Sequence, residues 1–158
     1  MTGVVVIDAS LTVLLVVGSA STEYIAKHKR LRDYTIEHFK LLVGLISADF
    51  SDIVLLPHIL SEASSLARQI ENPARAKIQE ALRTLIMTAT ELPIQSAFGA
   101  QRDEFGELGL TDAVILHLCN MTENGIPPTL ITTDTDLANS AHSQGYSVID
   151  FKDAYQTG

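Results

Sequence analysis

Three short apolar or β-branched runs constrain the fold of this chain more than any other feature, because an acidic residue directly follows two of them. The runs are residues 4–7 (VVVI), 53–56 (IVLL) and 129–133 (TLITT), and the first and third end on Asp8 and Asp134. Runs of this kind predict buried β-strands, and helical patterns separate them, which favours an α/β fold with a parallel sheet. In such folds the carboxyl ends of the strands form the edge where ligands bind.

Helical spacing and helix-breaking residues predict the elements between the strands. A single domain over residues 1–158 is expected, without internal repeats or linkers. The predicted helices are a first one capped by Ser10 and running to residue 20, a long one over 22–46, one from Pro57 that carries Glu62, and others over 73–88, 96–105, 112–121 (capped by Thr111 and ended by Asn124-Gly125) and 136–144. Residues 92–94 fit a short strand or a loop, and residues 146–149 fit a last strand.

Five acidic residues lie at or beside the ends of these predicted elements: Asp8, Glu62, Asp112, Asp134 and Asp136. Carboxylates gathered at one edge of a sheet repel one another unless a cation neutralises them. Ligand sets made only of oxygen favour Mg²⁺ or Mn²⁺ over zinc or copper. The residues alone therefore predict a divalent-metal site in an α/β domain.

Each acid also has a structural interpretation. Asp8 can cap the first helix, and either Asp134 or Asp136 can cap the helix that follows residues 129–133. Glu62 lies at the margin of an apolar helical stripe, where a salt bridge with Arg68 or a lysine would satisfy it. Asp112 opens the most apolar helix of the chain, and a first-turn Asp gains about 0.3–1 kcal/mol from the helix dipole.

Charge and cysteine content narrow the class of protein. The chain has 19 acidic and 11 basic residues and a net charge of −8, which argues against binding to duplex nucleic acid. Setting the five candidate acids aside leaves 14 acidic against 11 basic residues, or −3. The single Cys119 favours a reducing, cytoplasmic setting and a buried thiol. The apolar stretch 3–18 contains Asp8 and lacks a leading basic region, so neither a signal peptide nor a membrane span is expected.

Four segments resemble the PIN-domain ribonucleases, a family that includes the toxin halves of bacterial toxin–antitoxin pairs. The resemblance covers nearly all 158 residues. Its more specific segments are the one that contains Asp112 and the one that contains Asp134, and these two acids are 22 residues apart. The segments are residues 4–10 (VVVIDAS), 57–62 (PHILSE), 109–115 (GLTDAVI) and 130–137 (LITTDTDL).

The resemblance implies a Rossmann-like α/β/α sandwich and cleavage of single-stranded RNA with Mg²⁺ or Mn²⁺. Asp8, Glu62, Asp112 and Asp134 would form the acidic quartet, and Asp136 would be an accessory ligand. Ser10 and Thr133 would be supporting hydrogen bonders. An antitoxin and a second copy of the chain are the implied protein partners.

Carboxylate-held cations would lower the pKa of a bound water and polarise the scissile phosphate for in-line attack, leaving a 5′ phosphate and a 3′ hydroxyl. The five histidines show no metal-ligand spacing. The basic cluster at residues 27–32 (KHKRLR) is a phosphate grip near the site, a dock for an acidic partner, or a solvated helix face.

Two other functions remain open from the sequence. A metal-dependent phosphatase on a similar fold would usually carry two closely spaced acids after strand one, whereas the segment that follows Asp8 supplies no second one. A non-catalytic PIN-like module would bind RNA or protein, although all four acids of the quartet are present.

Overall fold

The computed structural model describes residues 4–46, 51–121 and 127–156 and has an α/β architecture. Its five strands are short and all pair in parallel. They are β1 (Val5–Ile7), β2 (Val54–Leu55), β3 (Thr90–Glu91), β4 (Thr129–Thr132) and β5 (Ser147–Asp150). The α/β class and the parallel sheet predicted from the sequence are confirmed.

The strand order places a switch point next to the predicted acids. One sheet has the order β1-β4-β5 and a second pairs β2 with β3. A parallel bridge between Val5 and Ile53 joins them, and the Val5 N–H donates to the Asp52 carbonyl oxygen at 2.7 Å. The combined order is β3-β2-β1-β4-β5, so the connections change direction between β1 and β4. The crevice beyond the carboxyl ends of two such strands is where open α/β sheets bind ligands.

The helices form two packed groups. In the first, α1 contacts α2, α3 and α4; in the second, α7 contacts α5, α6 and α8. Since crossovers between parallel strands are right-handed, connections on the two sides of the switch point run over opposite faces of the sheet. The helices are α1 (Ala9–Ala20), α2 (Ile36–Leu45), α3 (Pro57–Ala67), α4 (Ala74–Thr88), α5 (Ser96–Ala100), α6 (Phe105–Leu108), α7 (Leu110–Cys119), α8 (Thr135–Ser143) and α9 (Phe151–Gln156).

Helix α1 is the centre of the core. Every residue from Leu11 to Gly18 is buried, which is typical of a helix that packs on all sides. A Cβ at Gly18 would clash with the ring of Phe39, so the absence of a side chain there lets α2 approach α1. Within the described ranges, no helix is both long and apolar enough to cross a membrane.

The predicted continuous helix over residues 22–46 is wrong. The segment contains two 3₁₀ turns, Thr22–Tyr24 and Lys29–Leu31, and α2 begins only at Ile36. His28 is buried, its Nδ1 accepts from the Arg30 N–H at 3.1 Å, and its Nε2 therefore donates to the Ala67 carbonyl oxygen at 3.0 Å. These contacts with a distant helix hold the chain in turns, because an uninterrupted helix would carry His28 away from α3.

Two helix caps can be compared with the predictions. Asp8, one of the two candidates, caps α1 in place of Ser10, and its carboxylate accepts from the Leu11 N–H. Thr111 lies inside α7, because the chain enters that helix through Gly109 with φ of 87°. A positive φ favours glycine, which explains why the helix begins one residue after it.

The remaining differences are in element boundaries. The predicted helix 96–105 stops at Ala100, and a separate α6 begins at Phe105 after a turn held by the Arg102–Glu104 ion pair. Residues 92–95 form a loop after β3, and α9 was not predicted. The apolar helix ends at Cys119; the predicted stop signal Asn124-Gly125 lies outside the described residues.

Candidate functional site

Asp8 lies where β1 ends and α1 begins, and it is 8% exposed. One carboxylate oxygen, Oδ1, accepts from the Leu11 N–H at 2.9 Å. The other, Oδ2, accepts from the Thr132 hydroxyl at 2.6 Å and from the Thr133 N–H at 3.0 Å. Burial raises the pKa of Asp8 even though these three hydrogen bonds act in the opposite direction, and the charge of Asp134 adds to the rise.

Thr132 connects the two acids that follow the strands on either side of the switch point. While its hydroxyl donates to Asp8, its Oγ1 accepts from the Asp134 N–H at 3.0 Å. Asp134 in turn caps α8, with its Oδ1 accepting from the Leu137 N–H at 3.1 Å. Both Asp8 and Asp134 are therefore helix caps as well as residues of the sheet edge, so their structural and functional interpretations are compatible.

Asp112 is the acid whose ionisation is most perturbed. It lies in the first turn of α7 and is partly buried. Burial is the main reason that its pKa rises from 3.8 to about 7, and the negative charges of Asp134, Asp8 and Glu62 follow in that order. Acids from β1, α3, α7 and the end of β4 thus share one electrostatic environment, although 126 residues separate Asp8 from Asp134.

Glu62 is exposed on α3, and the predicted salt bridge is absent. The ion pairs found in the described part of the chain are Lys40–Glu37, Arg83–Glu80 and Arg102–Glu104, and none involves an acid of the quartet. Nothing basic in these ranges compensates the charges around Asp112 by an ion pair. This leaves the negative charge of the quartet uncompensated, which is the condition that favours binding of a cation.

Asp136, the predicted accessory acid, faces different neighbours. Its side chain is exposed and lines a cavity of about 360 Å³ together with Glu104, Glu107, Leu108, Asn139 and Ser140. It is not among the charges that raise the pKa of Asp112. An electrostatic link from Asp136 to the quartet is therefore not found.

The donor set fits a hard cation, whereas the arrangement does not form a finished metal site. No three His, Cys, Asp or Glu side chains within the described ranges are grouped so that they could hold a metal ion. Protein donors already occupy both oxygens of Asp8, while Glu62 and Asp134 are exposed. Binding would therefore require the exposed carboxylates to turn toward Asp112, where uncompensated charge is concentrated.

The two predicted supporting hydrogen bonders, Ser10 and Thr133, differ in their contacts. The Ser10 hydroxyl lies 3.4 Å from the Tyr34 hydroxyl, which is its hydrogen-bond partner. Thr133 binds Asp8 through its backbone N–H, and the side chain that does so is Thr132. Alternation along a strand could have identified Thr132, since successive side chains point to opposite faces.

The basic cluster at residues 27–32 contacts the C-terminal end of the helix that carries Glu62. Helix α3 begins directly after β2, at the carboxyl edge of the sheet, and therefore ends away from that edge. His28 and Arg30 bind the far end, where the Arg30 Nε donates to Gln69 Oε1 at 2.8 Å and His28 contacts Ala67. Two residues of the cluster are thus engaged at the C-terminal end of α3, and its roles as a phosphate grip or as a dock for an acidic partner stay predictions.

Cys119 is buried, as predicted, and burial raises the pKa of its thiol to about 12. A thiol of this kind is inert at neutral pH, which excludes it as a nucleophile.

Comparison of the chain with protein-family models, with curated proteins and with solved structures finds no match.

Proposed function

We propose that this protein is a PIN-like, Mg²⁺- or Mn²⁺-dependent endoribonuclease that cleaves single-stranded RNA. The proposal is supported by the position of Asp8 and Asp134 after the strands on either side of the switch point, and by the electrostatic interaction of Asp134, Asp8 and Glu62 with Asp112. The pKa of Asp112, which burial raises to about 7 with further contributions from the charges of Asp134, Asp8 and Glu62, supports it. The four sequence segments that resemble PIN-domain ribonucleases supply the substrate class.

The four acids differ in how strongly the protein restrains their carboxylates. Asp8 is fixed by three hydrogen bonds, and Thr132 holds Asp134 in register with it. Asp112 and Glu62 have carboxylates that no ion pair restrains, so these two are the groups that adjust to a ligand. When bound, Mg²⁺ or Mn²⁺ would neutralise the carboxylates, lower the pKa of water and polarise the phosphodiester.

The pKa of Asp112 sets the expected pH dependence. Below about pH 7 Asp112 holds a proton, and it is then a poor ligand for a cation. Glu62 is exposed at the same edge, where its carboxylate can orient a water toward the scissile phosphate. Because Asp112 becomes a better ligand when it loses its proton, activity should rise with pH through the neutral range.

The test is cleavage of labelled single-stranded RNA and DNA with Mn²⁺, with Mg²⁺ and with a chelator. Wild type runs beside Asp112→Asn, and Asp33→Asn is the matched control because Asp33 is exposed and outside the quartet. Metal-dependent cutting that leaves 5′ phosphates, is lost in Asp112→Asn and persists in Asp33→Asn supports the proposal. Cutting that is equal in both variants refutes the assignment of the site.

A non-catalytic PIN-like module is the second candidate, and one observation favours it. Both oxygens of Asp8 are engaged by protein donors, as in a purely structural capping residue. Under this alternative the folded protein binds Mn²⁺ or RNA and leaves every substrate intact. A phosphatase has no such supporting observation, and phosphomonoesters assayed beside RNA would detect one.

We further propose a toxin of a toxin–antitoxin pair that acts in the cytoplasm as a homodimer. The exposed apolar side chains Ile86 and Met87 on α4, 38% and 80% exposed, support a second copy as partner. Light scattering at micromolar concentration tests this part separately. A monomeric mass would refute the dimer and leave the nuclease proposal unaffected.

A further inference from the structure

Helix α5 is attached to the helix that carries Glu62. The His58 ring nitrogen Nε2 lies 2.8 Å from the Ser96 hydroxyl, which belongs to the first residue of α5. His58 is four residues before Glu62 on α3, so the two are neighbours on one helix face. The start of α5 is therefore held close to the acidic quartet.

The same short helix packs closely on α7, which carries Asp112. A Cβ at Gly99 would lie 2.7 Å from Val114 Cγ2 and 3.2 Å from the Val114 backbone nitrogen. Gly99 is buried, and its missing side chain is what allows this approach. Helix α5 thus bridges the two helices that bring Glu62 and Asp112 to the site.

Phe98, between these two attachment points, forms a ring stack and is itself partly exposed. Its ring centroid is 4.7 Å from that of His117 on α7, with an interplanar angle of 18°. Phe98 is 43% exposed, although a phenyl ring gains free energy by burial. A stacked pair with an open side offers a flat π surface to a further ring.

We propose that the Phe98–His117 pair is the platform on which a nucleobase of single-stranded nucleic acid stacks when the strand lies at the acidic quartet. This inference rests on the proposed function and names how the substrate is held. Base stacking suits this site because the quartet repels phosphates and because His28 and Arg30 of the basic cluster are engaged with Ala67 and Gln69. Stacking accepts any base, so the platform would give affinity and position without a sequence code.

The test compares Phe98→Leu with Phe105→Leu in the full chain. Phe105 is 41% exposed and forms no ring stack among the described residues, so it is a matched control. Binding of fluorescent single-stranded RNA is measured by anisotropy in chelator, which separates binding from cleavage. Phe98→Leu should weaken binding by at least about fivefold, the lower limit for one stacked base, and Phe105→Leu should not.

A series of RNAs with one abasic position locates the stacked base. The affinity of wild type for RNA should fall by the same factor, about fivefold, when one particular position is abasic. The affinity of Phe98→Leu should not fall further when that position is abasic. Equal binding by wild type and Phe98→Leu, with melting temperatures that show both folded, overturns the platform. So does a wild type that binds no single-stranded nucleic acid.

The two proposals fail in different ways. Stacking without cleavage in Mn²⁺ or Mg²⁺ supports the platform and contradicts the nuclease. Cleavage that Phe98→Leu leaves unchanged in KM supports the nuclease and contradicts the platform. A higher KM with unchanged kcat in Phe98→Leu is the result expected if both hold.

Discussion

Replacement of Asp112 by Asn should stabilise the metal-free protein at neutral pH. The change keeps the shape of the side chain and removes a carboxylate that lies partly buried among Asp134, Asp8 and Glu62. Its raised pKa means that ionisation is less favourable in the folded state than in the unfolded chain. The charge of Asp112 therefore costs stability whenever the pH is high enough to ionise it.

The sign and the pH window follow from the pKa. Below about pH 3.8 Asp112 is protonated in both states, and the two variants should be equally stable. As the pH rises from 3.8 to about 7, wild type loses stability relative to Asp112→Asn, and above pH 7 the difference is constant. Each pH unit between the two pKa values contributes about 1.36 kcal/mol. The stability difference between the variants therefore has an upper bound of about 4 kcal/mol. Solvent screening of this partly exposed group reduces the expected value to about 2 kcal/mol.

The assay is urea unfolding in chelator at pH 5, 6, 7 and 8. The free energy of unfolding of Asp112→Asn should exceed that of wild type by an amount that grows with pH. Adding Mn²⁺ at pH 8 should stabilise wild type and have little effect on the variant. A variant that is less stable than wild type at pH 8, or a difference independent of pH, would refute the electrostatic reasoning.

Three further substitutions, two of them with a matched control variant, test packing and hydrogen bonds by urea unfolding. Thr132→Val removes a hydroxyl donor from the buried carboxylate after β1 and should cost about 1.5–3 kcal/mol, whereas Thr133→Val, whose side chain makes no such bond, should stay within about 0.5 kcal/mol. His28→Ala leaves a buried carbonyl and an N–H without their partner and should cost about 2–3 kcal/mol. Gly18→Ala overpacks α1 against α2 by about 1–3 kcal/mol, while Gly44→Ala, with open space around it, should gain up to about 1 kcal/mol. Equal effects within either pair would contradict the contacts described.

Four of the five strands, and the position of Asp8 and Asp134 at the ends of two of them, were predictable because the signals are local. An apolar run that ends on Asp8 or Asp134 marks the end of a strand, and parallel pairing then brings such ends to one edge. Glu62 followed from its place after Pro57, which begins α3 as predicted. These inferences need only the order of residues and the geometry of a parallel sheet.

What the sequence did not reveal depends on contacts between distant residues. His28 breaks the predicted helix because it binds Ala67, 39 residues away. Thr132 supports Asp8 across 124 residues, and only the register of β4 beside β1 identifies it in place of Thr133. Helix propensity is a weak guide wherever a buried polar contact of this kind competes with it.

The central claim is that Asp8, Glu62, Asp112 and Asp134 together bind a divalent cation. Calorimetric titration of the metal-free protein with Mn²⁺ tests it most directly, with wild type beside Asp112→Asn, Glu62→Gln and Asp136→Asn. The account predicts saturable binding by wild type, loss of binding in the first two variants, and near wild-type binding in Asp136→Asn, whose side chain lines a different cavity. Binding that survives in Asp112→Asn and Glu62→Gln, or a folded wild type that binds no Mn²⁺ at pH 8, would contradict it.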